Sequence, residues 1–114
     1  MNPSRRSDSL FLADIREAIA KILAYTAGGR EAFLADGRTQ DAVLRNIEVI
    51  GEAARNVSEA TRKAHPAVPW REMADMRNKV IHDYFRLDVD VIWDVIQNDL
   101  PSLKLQMDSL RAQD

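Results

Sequence analysis

Apolar side chains return every three or four positions along most of this 114-residue chain, an interval that lays them along one face of an α-helix. From Ser7 to Ala27 the stripe is Phe11, Ile15, Ile19, Ile22 and Leu23, with Ser7 and Asp8 as caps and Gly28-Gly29 as the stop. A short turn of helix is expected over Arg30 to Ala35. The polar stretch Asp36-Gly37-Arg38-Thr39 breaks it. A second long helix should start near Thr39 or Asp41 and run to about Ser58, with Val43, Ile47, Ile50, Ala54 and Val57 inward. Gly51 in its middle costs about 1 kcal/mol relative to alanine, so it predicts a close approach by another helix, within the chain or across a dimer.

Pro66 and Pro69 bracket the next loop, and Pro69 suits the first turn of a third long helix, where its missing N–H has no partner to lose. Trp70, Met73, Ala74, Val80 and Ile81 give that helix its apolar side. After a turn at Phe85 to Leu87, Asp88 can cap a further helix with Val91, Ile92, Val95 and Ile96 inward. Pro101 should then start a last stretch through Leu103 and Met107. There is no internal repeat and no alternation long enough for a sheet, so the expected fold is all-α, an antiparallel helical bundle. The chain is long enough for one domain, residues 1–114, with polar ends at about 1–7 and 111–114 that fray.

Composition narrows the setting. The chain is 46% hydrophobic and 30% charged, and no apolar run approaches the roughly 20 residues that span a bilayer. It has no cysteine, hence no disulfide and no thiolate zinc site, and its start, MNPSRRSDS, lacks the apolar segment of a secretory signal. A cytoplasmic, membrane-free location is the expectation. A net charge of −2 argues against a broad nucleic-acid footprint, so any RNA binding must be local. Arg71, Arg77, Lys79 and Arg86 cluster near one segment and could make one cleft positive, although a solvated helix face explains Arg71 and Arg86 as well.

That segment reads RNKVIHDY, from Arg77 to Tyr84. It holds a permanent cation suited to phosphate, a histidine that titrates near neutrality and a phenol. On a straight helix Arg77 and Tyr84 nearly eclipse, whereas Arg77 and His82 diverge by about 140°. Either the helix loosens before His82, or the pair faces a cleft from different walls, such as one shared by two subunits. The bland alternative is an Arg77 salt bridge with Asp75 or Glu72, a helix-ending histidine and a core tyrosine. Arg45 and Glu52 could reach the cleft or simply face solvent. His65, before Pro66, reads as a loop histidine, and the two histidines lie apart with no acidic cluster at ligand spacing, so no metal and no cofactor is assigned. Trp70 and Trp93 read as core or interface anchors.

RNKVIHDYF resembles the signature of the HEPN superfamily, and the run from Pro69 to Lys104 is similar to its HepT branch, the toxin partner of the MntA nucleotidyltransferase antitoxin. DAVLRNIEVIGEAARNVS, Asp41 to Ser58, resembles the preceding helix of that branch. The resemblance implies an all-helical homodimer and a metal-independent RNase of a type VII-like toxin-antitoxin system, with Arg77 and His82 as its catalytic pair. Asn78 matches the polar residue usual after the arginine, and Asn78 and Lys79 are the candidates for substrate contact. Tyr84 stands where the antitoxin adds AMP to silence the toxin.

The chemistry fits the resemblance. RNA can be cut by its own 2′-hydroxyl, which needs a proton acceptor, a proton donor and positive charge at the phosphorane. His82 can serve as base or acid, and Arg77 supplies charge. A competing reading from another class is a non-catalytic helical subunit that binds nucleotide or substrate for a nucleotidyltransferase, and a third is a purely structural dimerising bundle. A small apolar bundle with a glycine in a core helix and two tryptophans is also expected to self-associate as a homodimer.

Overall fold

The computed structural model describes residues 7–85 and 88–111, with side chains for all of these except 81–85 and 111. It contains the helices α1 (Asp8–Tyr25), α2 (Arg30–Ala35), α3 (Gly37–Asn56), α4 (Glu59–Ala64), α5 (Trp70–Phe85) and α6 (Val89–Arg111). Among the described residues there is no strand, so the chain is all-α. None of these helices is long and apolar enough to cross a membrane. The polar ends, 1–6 and 112–114, lie outside the described residues, as do Arg86 and Leu87 of the expected turn.

Helix α3 is the centre. It packs on α1 along one side and on α5 along the other, while α6 lies against α1, α5 and α2. Val43, Ile47, Ile50 and Ala54 on α3, and Val57 just past its end, are all buried, and they meet Ile15, Ile19 and Ile22 of α1 and Met73 and Val80 of α5 in one apolar cluster. The α1 stripe is centred one position away from expectation. Leu12 and Ala18 are buried within it, and Phe11 and Leu23 only flank the core.

Polar side chains punctuate this bundle. The expected break is Asp36 alone, and Gly37, Arg38 and Thr39 belong to the next helix: the Asp36 carboxylate accepts hydrogen bonds from the N–H groups of Arg38 (3.0 Å) and Thr39 (3.4 Å), so α3 starts at Gly37. Gly29 supplies the turn before α2 with a φ of 98°, a region that favours glycine. Asp8 caps nothing at its own helix end. It accepts instead from Ser58 N–H (2.9 Å), Ser58 Oγ and Thr61 Oγ1, fixing the start of α1 to the far end of α3 in antiparallel order. Burial raises the pKa of this carboxyl, but the hydrogen bonds from Ser58 and Thr61 prevail and hold it below the usual range.

Three expectations fail for physical reasons. The second long helix ends at Asn56, because Val57 is extended and Ser58 caps a new helix by accepting from Thr61 N–H (3.2 Å). That helix, α4, buries no residue and so left no apolar stripe to read. Pro101 starts nothing: α6 runs through it. Ile92, Ile96 and Leu100 before the proline and Leu103, Met107 and Leu110 after it are all buried, and this continuous stripe offsets the roughly 3 kcal/mol cost of an internal proline. Val91 is exposed, and Trp93 goes inward in its place, its ring centroid 5.5 Å from that of Phe33.

Candidate functional site

Helix α5 carries the RNKVIHDY segment, and its position is set by α3. A Cβ added at Gly51 would stand 3.3 Å from the Ala74 carbonyl oxygen and 3.3 Å from Arg77 Cβ, so the missing side chain is what lets the two helices close at this point. The predicted close approach is therefore intramolecular, and it occurs at Arg77 itself. Gly51→Val should lower the unfolding free energy by about 1–3 kcal/mol in urea titrations, since its branched side chain must push against backbone. Gly51→Ala should change it less, because the gain of about 1 kcal/mol in helix propensity opposes the tighter contact. Unchanged stability in the valine variant would mean that the seam is slack.

The Arg77 side chain is exposed at this seam. Its Nη1 donates to Asn78 Oδ1 at 3.4 Å, a weak bond. Among the described residues it makes no ion pair, so neither Glu72 nor Asp75 takes it, contrary to the bland reading. Among the described residues no carboxylate occupies the guanidinium, whose fork suits an anion. Helix α5 continues unbroken to Phe85, so it does not loosen before position 82. Backbone positions 77 and 82 then stand about 140° apart around one helix, while 77 and 84 nearly eclipse. The side chains of His82 and Tyr84 lie outside the described residues.

The other candidates separate. Asn78 is exposed beside Arg77. Lys79, about 200° round the helix from Arg77, lines a groove of about 510 Å³ between α5 and α6, whose rim includes Glu72, Asp75 and Asp99. Arg45 and Glu52 line a different groove, between α1 and α3. His65 is the C-cap of α4, and its carbonyl accepts from Trp70 Nε1 at 3.0 Å, a structural role. Trp70 and Trp93 are buried anchors of the core. Among the described residues no group of three or more histidine, aspartate or glutamate side chains could hold a metal ion. Sequence reasoning passes over Arg55 and Arg62, which the fold brings beside Arg71, because only tertiary packing unites them.

Comparison with known proteins adds the lineage. The model of the family described as "Ribonuclease HepT-like" matches residues 15–110. A protein of Thermococcus cleftensis named "Probable ribonuclease HepT" is 47% identical over 108 residues, covering 94% of this chain and 98% of its own. Two proteins of Methanocaldococcus jannaschii, named "Putative RNase MJ0127" and "Putative RNase MJ1380", are 43% identical over 93 residues and 34% identical over 106. They cover 81% and 92% of this chain, and the match spans 77% and 97% of theirs. No solved structure matches. With nearly its whole helical core matched by the family model, and relatives of similar length on either side, this chain belongs to the HepT-like ribonuclease family.

Proposed function

We propose that this chain is an RNase toxin that cuts RNA without a metal ion, with Arg77 and His82 as the catalytic pair, and that a nucleotidyltransferase antitoxin silences it by adding AMP to Tyr84. The observation that carries the reading is the exposed Arg77 guanidinium, held in place by the Gly51 seam and paired with no carboxylate among the described residues. Family membership supports RNA as the substrate. The 2′-oxygen attacks the adjacent phosphorus as its proton leaves, the 5′-oxygen departs and takes a proton, and the products are a 2′,3′-cyclic phosphate and a 5′-hydroxyl. His82 performs one of the proton transfers, and Arg77 bears the charge that builds on the equatorial oxygens. Asn78 contacts substrate beside them, whereas Lys79, the other candidate, opens on the α5/α6 groove away from Arg77 and is left out of the contact.

The divergence of positions 77 and 82 favours a homodimer. Two copies packed about a twofold axis face Arg77 of one towards His82 of the other, which one straight helix cannot do. The chain acts as one HEPN-type domain in the cytoplasm, with no membrane attachment. The test is incubation of the purified protein with RNA in EDTA, followed by end-group analysis. Cleavage that survives EDTA and leaves 2′,3′-cyclic phosphate or 3′-phosphate ends is expected. Strict dependence on a divalent ion, or 5′-phosphate products, would refute the mechanism.

A further inference from the structure

Resting on the RNase reading, we infer that Arg55, Arg62 and Arg71 form an entry track that binds the RNA strand several nucleotides from the bond being cut. The three come from different elements: the last turn of α3, the last turn of α4 and the first turn of α5. They converge on one wide groove of about 830 Å³. All three are exposed, and among the described residues none makes an ion pair, whereas Lys21, Arg30, Lys63 and Lys104 are each bridged to a carboxylate. Asp8 lies near enough to feel Arg62, but its oxygens are already engaged by Ser58 and Thr61. A place near a helix C-terminus favours a cation at Arg55 and at Arg62 singly. It does not account for a third arginine facing them from the start of another helix.

The acidic residues set the direction of the track. Glu59 in this groove is neutralised by Lys63 at 3.0 Å. Glu72 and Asp75 stand on the ridge shared with the α5/α6 groove, where Asp99 joins them. Phosphate is repelled from that side and accepted on the arginine side. Positions 71, 78 and 82 of α5 fall within about 40° of one another around the helix, with Asp75 on the edge of that stripe. A strand leaving the groove, whose lining on α5 ends at Asp75, can therefore run past Asn78 towards position 82 along the side away from that carboxylate. The roughly eleven helical steps from Arg71 to His82 span about 16 Å, or about five nucleotides at the stacked spacing of about 3.4 Å. A chain with a net charge of −2 thereby concentrates RNA affinity in one place.

The experiment is fluorescence anisotropy with a labelled single-stranded 2′-O-methyl RNA, which cannot be cleaved and so reads binding whether or not the RNase reading holds. The triple variant Arg55→Gln, Arg62→Gln, Arg71→Gln should weaken binding by about 10-fold at moderate salt. Its plot of log Kd against log salt should flatten by about 2 units, from about 0.7 for each phosphate no longer neutralised. The corresponding triple lysine variant should restore most of that slope. An unchanged Kd and slope in the glutamine variant would overturn the inference, as would equal weakening in the lysine variant, which points to shape rather than charge. Unchanged RNA binding with lost nucleotidyltransferase binding would likewise overturn it and give the groove to the protein partner.

Discussion

Replacing Arg77 or His82 by alanine should each lower RNA cleavage by at least about 100-fold, with little effect on folding. Arg77 is exposed and unbridged among the described residues, so its removal leaves no buried partner without a bond. What disappears is charge at the phosphorane for Arg77→Ala and a proton carrier for His82→Ala. Arg77→Lys should recover only part of the rate, because an ammonium cannot grip two phosphate oxygens at once. Initial rates on a defined RNA, with thermal melts to verify folding, make the measurement. Mixing the two inactive variants then tests the shared cleft. If each cleft takes Arg77 from one protomer and His82 from the other, a mixed dimer has one intact cleft and one doubly damaged, and the equilibrated mixture should regain about a quarter of wild-type activity. Full activity in both single variants would put the catalytic site elsewhere, and no regain in the mixture would exclude the composite cleft.

Adenylylation at Tyr84 should abolish cleavage. On the unbroken α5, position 84 follows position 77 by seven residues, about 10 Å along the axis and about 20° around it. With the two backbone positions on one edge, an AMP phosphate added at Tyr84 is expected to engage the guanidinium that otherwise receives the RNA phosphate. The adenosine adds bulk on the same edge. Incubation with ATP, magnesium and the partner nucleotidyltransferase, followed by intact-mass measurement and peptide mapping, should place AMP on Tyr84, with activity lost in proportion. Tyr84→Phe should stay active under the same treatment. An unchanged mass, or a silenced Tyr84→Phe carrying AMP at another residue, would defeat this assignment and leave the RNase proposal standing.

Much of this arrangement is legible in the order of residues alone. Ile15, Ile19 and Ile22, and likewise Val43, Ile47, Ile50 and Ala54, announce their helices because burial repeats with the helical period. Gly51 announces a close approach, since a mid-helix glycine without a packing role is a plain cost; whether its neighbour belongs to the same chain is beyond the pattern. Helix α4 goes unseen because EATRKA has no buried side, and its boundaries depend on Ser58 and on a carboxylate fifty residues away. Pro101 misleads because local propensity points to a helix start where a continuous buried stripe decides otherwise. At the site, the motif names Arg77, but its freedom from Glu72 and Asp75 is a matter of side-chain placement. The separation of Lys79 from Arg77 follows from helical angle and is foreseeable. The meeting of Arg55, Arg62 and Arg71 is not.

Pro101 leaves the Gln97 carbonyl without its usual amide donor, and that gap divides the hydrogen-bond ladder of α6. The half before it carries Trp93 against Phe33, whereas Met107 in the half after it lines a groove against α1 with Ala13 and Ile19. The two halves therefore answer to different neighbours and are joined by a weakened rung. Amide exchange in such a helix proceeds through two openings of different free energy: the terminal turns can release from α1 while the turns around Trp93 stay closed.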